Sequence, residues 1–185
     1  MDDEEEQPLG WVPLDGRGSL PFALVHGESL VAAASWALGE AGVQLYDASV
    51  SFDQLRESGR ALVLHDPLCP LTPVDHIVDS IERCASTGSV VIGFRAVTDT
   101  VKRADGENLG ETVDRSGLRS VASPVVIPAT VLAGLVDLDT SDFAVLAATL
   151  ADLGEVVWLE APTLARRIHD EPELRILEAL SRSLV

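Results

Sequence analysis

Short apolar segments alternate with helical patterns along most of this chain, and that alternation constrains the fold more than any other feature. The segments ALVLHD (61–66) and GSVVIGF (88–94) are short and rich in apolar residues, as strands buried on both faces are. The segments between such strands carry apolar residues at helical spacing, with capping residues at their ends. The pattern predicts an α/β sandwich with a mostly parallel sheet.

The helical segments begin at recognisable capping residues. A serine, threonine or aspartate at the N-cap accepts a hydrogen bond from a free backbone N–H of the first turn. The predicted caps are Thr72 (with Pro73 as first helical residue) for 71–87, Thr140 or Ser141 for 140–154, and Asp170 for 170–185.

One segment departs from the alternation and predicts a β-hairpin. VTDTVKR (97–103) and LGETVDR (109–115) have period-2 patterning and are joined by ADGEN, which contains an Asp-Gly turn. The hairpin is too polar for the centre of a sheet. We therefore expect residues 97–122 to project as an arm that contacts a partner subunit.

Charge excludes several classes of partner. The chain has 30 acidic and 13 basic residues, a formal net charge of −17. Nucleic acid and anionic lipid both bind basic patches, so neither is an expected partner. Lys102 is the sole lysine, which excludes lysine chemistry elsewhere in the chain.

The termini indicate a cytoplasmic protein with one folded domain. The acidic residues 1–8 are unlike a basic, apolar signal peptide and predict a disordered tail, which either keeps the protein soluble or docks a protein partner. Residues 9–185 are long enough for a single domain. No apolar run approaches the roughly 20 residues that cross a bilayer, so membrane insertion is not expected.

Two groups of residues fall at the carboxyl ends of predicted strands, where ligands bind in α/β sheets. Gly16-Arg17-Gly18 either lets a phosphate approach the backbone or forms a tight turn. His65-Asp66 follows the strand at 61–64. Asp66 either holds a metal or a ribose hydroxyl, or caps the next segment.

Basic residues gather in two further places. Lys102, Arg103 and Arg115 lie on the hairpin, where they either form an anion site or pair with Glu111 and Asp114. Arg166-Arg167 precedes the last helix. These two arginines either complete the anion site or pair with Asp170 and Glu171.

Several motifs in order resemble a known family. The stretches are LVLHDPLCPLTP (62–73), VTDTVKR (97–103), ETVDRSGLRSVASP (111–124) and RRIHDEPEL (166–174). Together they resemble the methylerythritol-phosphate cytidylyltransferases of isoprenoid biosynthesis, which join CTP to a sugar-alcohol phosphate. The resemblance implies a Rossmann-like nucleotidyltransferase sandwich with a protruding β-arm, a homodimer built through that arm, and magnesium as the cofactor of an active member.

The resemblance also assigns roles to individual residues. Gly16 and Gly18 match the nucleotide-binding loop, and Asp66 matches the aspartate near metal and substrate. Thr100 and Arg115 match the arm residues that hold the sugar phosphate across the dimer, and Lys102 lies beside them. Arg167 matches a catalytic lysine near the end of the family sequence.

The chain departs from the family where phosphate-binding cations are expected. Leu20 and Phe22 stand at those positions of the loop, and Arg17 is the one substitute there. Cys69 replaces a family arginine. The segment between Gly42 and the strand at 61 is shorter than in the family.

Three functions remain open at this point. The first is a homodimer that has lost most or all catalysis and keeps a binding, scaffolding or regulatory role. The second is an active, magnesium-dependent nucleotidyltransferase with an altered substrate, in which Arg17 and Arg167 supply charge and Asp66 holds the metal. The third is a sensor that binds a sugar phosphate through Thr100, Lys102, Arg115 and Arg167 without transforming it.

Overall fold

The computed structural model describes residues 7–46, 50–98, 101–105 and 108–183 of the chain. The strands are β1 (Leu9–Trp11), β2 (Leu24–Val25), β3 (Glu28–Ser29), β4 (Gln44–Leu45), β5 (Leu62–Leu64), β6 (Val90–Ala96), β7 (Val101–Asp105), β8 (Asn108–Val113), β9 (Arg119–Ile127) and β10 (Val156–Glu160). The α-helices are α1 (Leu30–Glu40), α2 (Phe52–Glu57), α3 (Val74–Thr87), α4 (Ala129–Gly134), α5 (Phe143–Leu153) and α6 (Glu171–Arg182).

A central sheet organises the domain, with strand order β10-β6-β9-β5-β1-β4. β1 pairs in parallel with β4 and β5, and β10 pairs in parallel with β6. β9 alone runs antiparallel to its neighbours β5 and β6. The prediction of an α/β fold with a mostly parallel sheet is confirmed.

Alternating side chains of the central strands fill two cores, one on each face of the sheet. On β5, Leu62 and Leu64 face the layer of α2, α4 and α5, whereas Val63 faces α1 and α3. Both sides of each central strand are therefore apolar, which is why the strands read as continuous hydrophobic runs. A third core joins α6 to Val25, Leu30 and Leu68 beyond the end of the sheet.

Two of the predicted helix N-caps are wrong, and the predicted N-cap at Asp170 is confirmed. Pro73 is the N-cap of α3, and the Thr72 hydroxyl donates to the carbonyl of Cys69 instead of capping the helix. Asp142 caps α5 and accepts from the N–H groups of Ala144 and Val145. Asp170 caps α6 and accepts from the N–H of Glu173.

The predicted hairpin is present as β7 and β8, which pair antiparallel with each other as a separate two-stranded sheet. Its expected Asp-Gly turn includes Gly106, which lies outside the described residues. A second small hairpin, β2 and β3, leads into α1. Within the described part of the chain, no helix is long and apolar enough to cross a membrane.

Candidate functional site

The candidate site lies where neighbouring strands β1 and β5 end. Because the two strands are parallel partners, the loop after β1 and the His65-Asp66 pair after β5 reach the same edge of the sheet. The loop after β1 contains Gly16, Arg17 and Gly18. The sheet topology thus brings together the two groups that the sequence analysis placed at strand ends.

Arg17 and Asp66 form an ion pair in the interior of the protein. Arg17 Nε donates to Asp66 Oδ1 at 2.7 Å, and the side chains are 0% and 1% exposed respectively. Arg17 Nη1 also donates to the backbone carbonyls of Asp15 and Thr140, at 2.6 and 3.0 Å. The Arg17 guanidinium therefore points into the interior of the protein and not into solvent.

A second arginine engages the other oxygen of the same carboxylate. Arg167 Nε donates to Asp66 Oδ2 at 2.9 Å, and the Arg167 side chain is partly exposed. Asp66 Oδ1 also accepts the N–H of Leu68 at 3.0 Å, so the carboxylate caps the following turn. Of the alternatives open for Arg167, the structure shows a pair with Asp66 and not with Asp170 or Glu171.

These contacts fix the ionisation state of Asp66. Burial by itself raises the pKa of a carboxyl, but the hydrogen bond and charge of Arg17 act in the opposite direction. The N–H of Leu68 and the charge of Arg167 add to the effect of Arg17, and the net result is a pKa below the ordinary value. Asp66 is therefore an anion that is neutralised by two guanidinium groups.

The glycine loop is packed against the segment before α5. Gly16 has φ +74°, and a Cβ at this position would lie 2.7 Å from the backbone oxygen of Ser141. The Arg17 guanidinium lies 5.2 Å from the ring centroid of Phe143. Glycine at 16 is thus required by a positive φ and by close backbone packing. Arg17 also contacts the segment before α5, through the carbonyl of Thr140.

His65 has a hydrogen-bond partner other than Asp66. Its Nδ1 bonds the hydroxyl of Ser123, which also accepts the backbone N–H of Asp66 at 3.0 Å. Burial lowers the pKa of His65 to about 4, so the imidazole is neutral at physiological pH. Ser123 on β9 therefore holds both residues of the His65-Asp66 pair in place.

The residues at this site do not form a ligand set for magnesium. Mg²⁺ takes oxygen ligands in octahedral geometry, but both Asp66 oxygens already accept from guanidinium groups. Within the described residues, no group of three or more His, Cys, Asp or Glu side chains is placed to hold a metal. A metal at Asp66 would have to compete with Arg17 and Arg167 for the carboxylate.

A cleft of about 480 Å³ adjoins the exposed side of Arg167. Its charged and titratable lining residues are Arg95, Arg166, Arg167, His169 and Glu173. His169 bonds Glu173 through Nδ1 at 3.0 Å. In a chain with a net charge of −17, this excess of arginines over acidic residues makes the cleft suited to an anion.

The base of the arm borders this cleft, since Val97 and Thr98 line it, but Arg115 is not among its lining residues. Arg115 donates to the backbone carbonyl of Thr98 and lines a different cleft, with Arg119 and Glu160. Lys102 is exposed on β7, and Thr100 lies outside the described residues. Among the described ion pairs, Arg115 pairs with neither Glu111 nor Asp114.

Sequence comparison decides the family. A family model described as "IspD: 2-C-methyl-D-erythritol 4-phosphate cytidylyltransferase" matches residues 46–152, more than half of the chain. The chain belongs to this family. The resemblance given by the motifs is thereby confirmed.

Individual cytidylyltransferases match over shorter stretches. The enzyme of Bacillus velezensis is 36% identical over 63 residues, which are 34% of this chain and 27% of the relative. The enzyme of Corynebacterium efficiens is 32% identical over 101 residues, 55% of this chain and 36% of the relative. The chain thus spans between a quarter and two fifths of the length of these curated relatives.

Solved cytidylyltransferase structures share the fold over nearly the whole chain. The crystal structure of the enzyme from Thermus thermophilus aligns with a TM-score of 0.70 at 21% identity, covering 95% of this chain and 98% of that one. A crystal structure of 4-diphosphocytidyl-2C-methyl-D-erythritol synthase aligns with a TM-score of 0.72 at 15% identity, covering 95% and 98%. At this identity the similarity establishes the fold alone.

Sequence reasoning missed three contributors to the site. Ser123, the partner of His65 and Asp66, was not among the predicted site residues, and neither was Arg95. The inward direction of Arg17 was also missed. Asp66, which follows the neighbouring strand, could have indicated this direction, because parallel strands bring the residues that follow them to one edge of the sheet.

Proposed function

We propose that this cytidylyltransferase-family chain has lost most or all nucleotidyl transfer and acts as a homodimer with a binding, scaffolding or regulatory role. Family membership makes CTP and a sugar-alcohol phosphate the first ligands to consider. The arrangement around Asp66 is the reason for proposing that turnover is lost.

The observation that carries the proposal is the pairing of both Asp66 oxygens with guanidinium groups. Arg17 and Arg167 each donate to a different oxygen, at 2.7 and 2.9 Å. A divalent cation at Asp66 would be repelled by the two guanidinium groups and would compete with them for the carboxylate, and Arg17 is fixed by two further carbonyls. Replacing an internal ion pair with a hydrated metal is unfavourable when the displaced arginine keeps no partner.

The loop after β1 supports the same conclusion. Phe22 stands where the resemblance places a cation, and its side chain is 59% exposed. Removing one preorganised donor from a transition state costs about 3–4 kcal/mol, or 100- to 1000-fold in rate. Nucleotidyl transfer depends mainly on such electrostatic stabilisation, so the loss of loop cations is expected to leave little turnover.

The geometry of the arm supports the homodimer. β7 and β8 pair only with each other within the described residues, so this hairpin has no place in the central sheet of its own chain, although residues 119–122 of the predicted arm belong to β9. Arg115 lies in a different cleft from Arg167. The resemblance implies that Arg115 meets an anion held by Arg167 across the dimer.

A second candidate function is supported by the arginine-lined cleft. Arg95, Arg166 and Arg167 line a cleft of about 480 Å³, which can accommodate a small phosphorylated molecule. Guanidinium groups bind phosphate oxygens in a bidentate geometry. The chain would then sense a sugar phosphate without transforming it, with Arg115 and Lys102 supplied by the partner arm.

Calorimetry separates these functions. The purified protein is titrated with CTP plus magnesium, with ATP, and with methylerythritol phosphate, and pyrophosphate release is measured in parallel. We expect no CTP-dependent heat and no pyrophosphate. Magnesium-dependent CTP binding with pyrophosphate release would overturn the proposal in favour of an active enzyme.

The same titrations test the second candidate and the dimer. Binding of methylerythritol phosphate without CTP, weakened by Arg115→Ala, would support the sensor, and Arg175→Ala on exposed α6 is the matched control. Light scattering at micromolar concentration is expected to give the mass of two chains. The mass of a single chain would rule out the homodimer.

A further inference from the structure

An apolar groove beside α1, at the edge of the third core, takes no part in the site at Asp66. The groove has a volume of about 620 Å³ and lies between α1, the β2–β3 hairpin and the segment that follows β5. Its apolar lining residues are Val25, Ala32, Ala33, Trp36, Pro70 and Leu71.

Trp36 is the main reason to regard this groove as a binding surface. Its side chain is 64% exposed, although burial of an indole is strongly favourable. Ala32 and Ala33 lie one turn earlier on the same face of α1, and their small side chains leave room beside the indole. Exposed aromatic residues beside such a recess are typical anchors of protein interfaces.

We propose that this groove binds the apolar face of a basic amphipathic helix from a partner protein. α1 has 11 residues and is therefore about 16 Å long, enough to lie beside about three turns of a second helix. The groove itself is lined by Ala32, Ala33 and Trp36, about one turn of α1. An apolar groove beside a helix is a recognised receptor for an amphipathic helix. The small side chains of Ala32 and Ala33 permit close approach of that helix.

The charges around the groove select a basic partner. Glu28 lines the groove, and Glu40 lies four residues after Trp36 on the same face of α1. α1 carries no basic residue, and the chain as a whole has a net charge of −17. A second copy of the chain would bring a further −17 to the contact, which disfavours self-association at this surface.

Peptide binding to the full-length protein tests the proposal. The probe is a synthetic helix of about three turns with leucine at i, i+3, i+4 and i+7 and lysine elsewhere, titrated by calorimetry. Two companion peptides carry glutamate in place of lysine or the same residues in scrambled order. Trp36→Ala removes the anchor, and Leu153→Ala is the matched control, since Leu153 is 62% exposed on α5 across the sheet.

We expect the lysine peptide to bind the wild-type protein and Leu153→Ala equally, and Trp36→Ala at least about 10-fold more weakly. The glutamate and scrambled peptides are expected not to bind. Equal binding to Trp36→Ala, equal binding of the glutamate peptide, or no binding of any peptide would overturn the proposal.

Concentration-dependent self-association that Trp36→Ala abolishes would instead make a second copy the occupant. None of these residues contacts Asp66, so the result is independent of the nucleotide titrations.

Discussion

Arg17 Nε lies 2.7 Å from Asp66 Oδ1, and both side chains are almost completely withdrawn from solvent. The two residues are 49 positions apart and belong to loops that follow neighbouring parallel strands. Arg167, from the segment before α6, closes the pair into a triad by binding the second oxygen. This triad occupies the place where the resemblance expects a metal and a nucleotide.

The triad is expected to contribute strongly to stability. Asp66→Asn leaves the Arg17 guanidinium buried with no anion, and removal of one partner from a buried ion pair costs about 3–5 kcal/mol. We expect urea denaturation to show a loss of this size in the free energy of unfolding. The control is Asp53→Asn, because Asp53 is largely exposed and pairs with Arg56 at 3.3 Å. Exposed pairs contribute at most about 1 kcal/mol. A similar loss of stability in both variants would show that the buried triad stabilises the fold no more than an exposed ion pair does.

The two loop glycines are expected to differ in their tolerance of alanine. Gly16→Ala combines a positive φ with a Cβ only 2.7 Å from the backbone oxygen of Ser141, whereas Gly18→Ala, at φ +57°, meets nothing within 4 Å. A left-handed conformation costs a non-glycine residue about 1–2 kcal/mol. Gly18→Ala should lose about that amount and Gly16→Ala more, as measured by thermal unfolding. Equal losses would mean that the loop is not held against Ser141.

Stability is expected to fall in mild acid because of His65. The unfolded histidine takes up a proton below about pH 6.5, whereas the folded imidazole stays neutral until the pH reaches its pKa of about 4. The unfolded state therefore binds more protons between these limits. The free energy of unfolding should decrease as the pH falls from about 6.5 towards 4, by at most about 1.4 kcal/mol per pH unit for this group.

Urea titrations at about pH 7.5, 6.5, 5.5 and 4.5 measure that dependence. His65→Asn keeps a polar atom near the position of Nδ1 but cannot titrate, so its pH dependence should be flatter. His76→Asn is the comparison, because burial also lowers the pKa of His76 and this variant leaves the larger His65 effect in place. If the free energy of unfolding of His65→Asn depends on pH as steeply as that of the wild type, His65 is not the source of the pH dependence.

Ser123 is expected to stabilise the strand ends through its hydroxyl. The hydroxyl is fully buried, bonds His65 Nδ1 and accepts the N–H of Asp66 at 3.0 Å. Ser123→Ala leaves two buried polar groups without a partner, at about 1–3 kcal/mol each. We expect a total loss of about 2–6 kcal/mol in chemical denaturation. Ser86→Ala, whose exposed hydroxyl donates to the carbonyl of Arg83, should change stability by less than about 0.5 kcal/mol. Equal effects would exclude a structural role for the Ser123 hydroxyl.

The sequence by itself determined the architecture of this protein. Apolar runs such as 61–64 and 90–92 become central strands because residues on both faces of a parallel sheet must be buried. The period-2 patterning of 97–115 likewise predicted a hairpin that stays out of the central sheet. These features depend on local spacing, which is visible in the order of residues.

The tertiary structure alone decided what the charged residues do. The sequence placed Arg17 in a glycine loop, Asp66 after a strand and Arg167 before a helix, but gave no direction for their side chains. The predicted N-cap of α5 was wrong for a related reason. Thr140, Ser141 and Asp142 are adjacent and all three can cap a helix, and the structure uses Asp142. The pairing of Arg17 and Arg167 with one carboxylate arises because long-range packing brings positions 17, 66 and 167 to one sheet edge, where a buried anion requires cations.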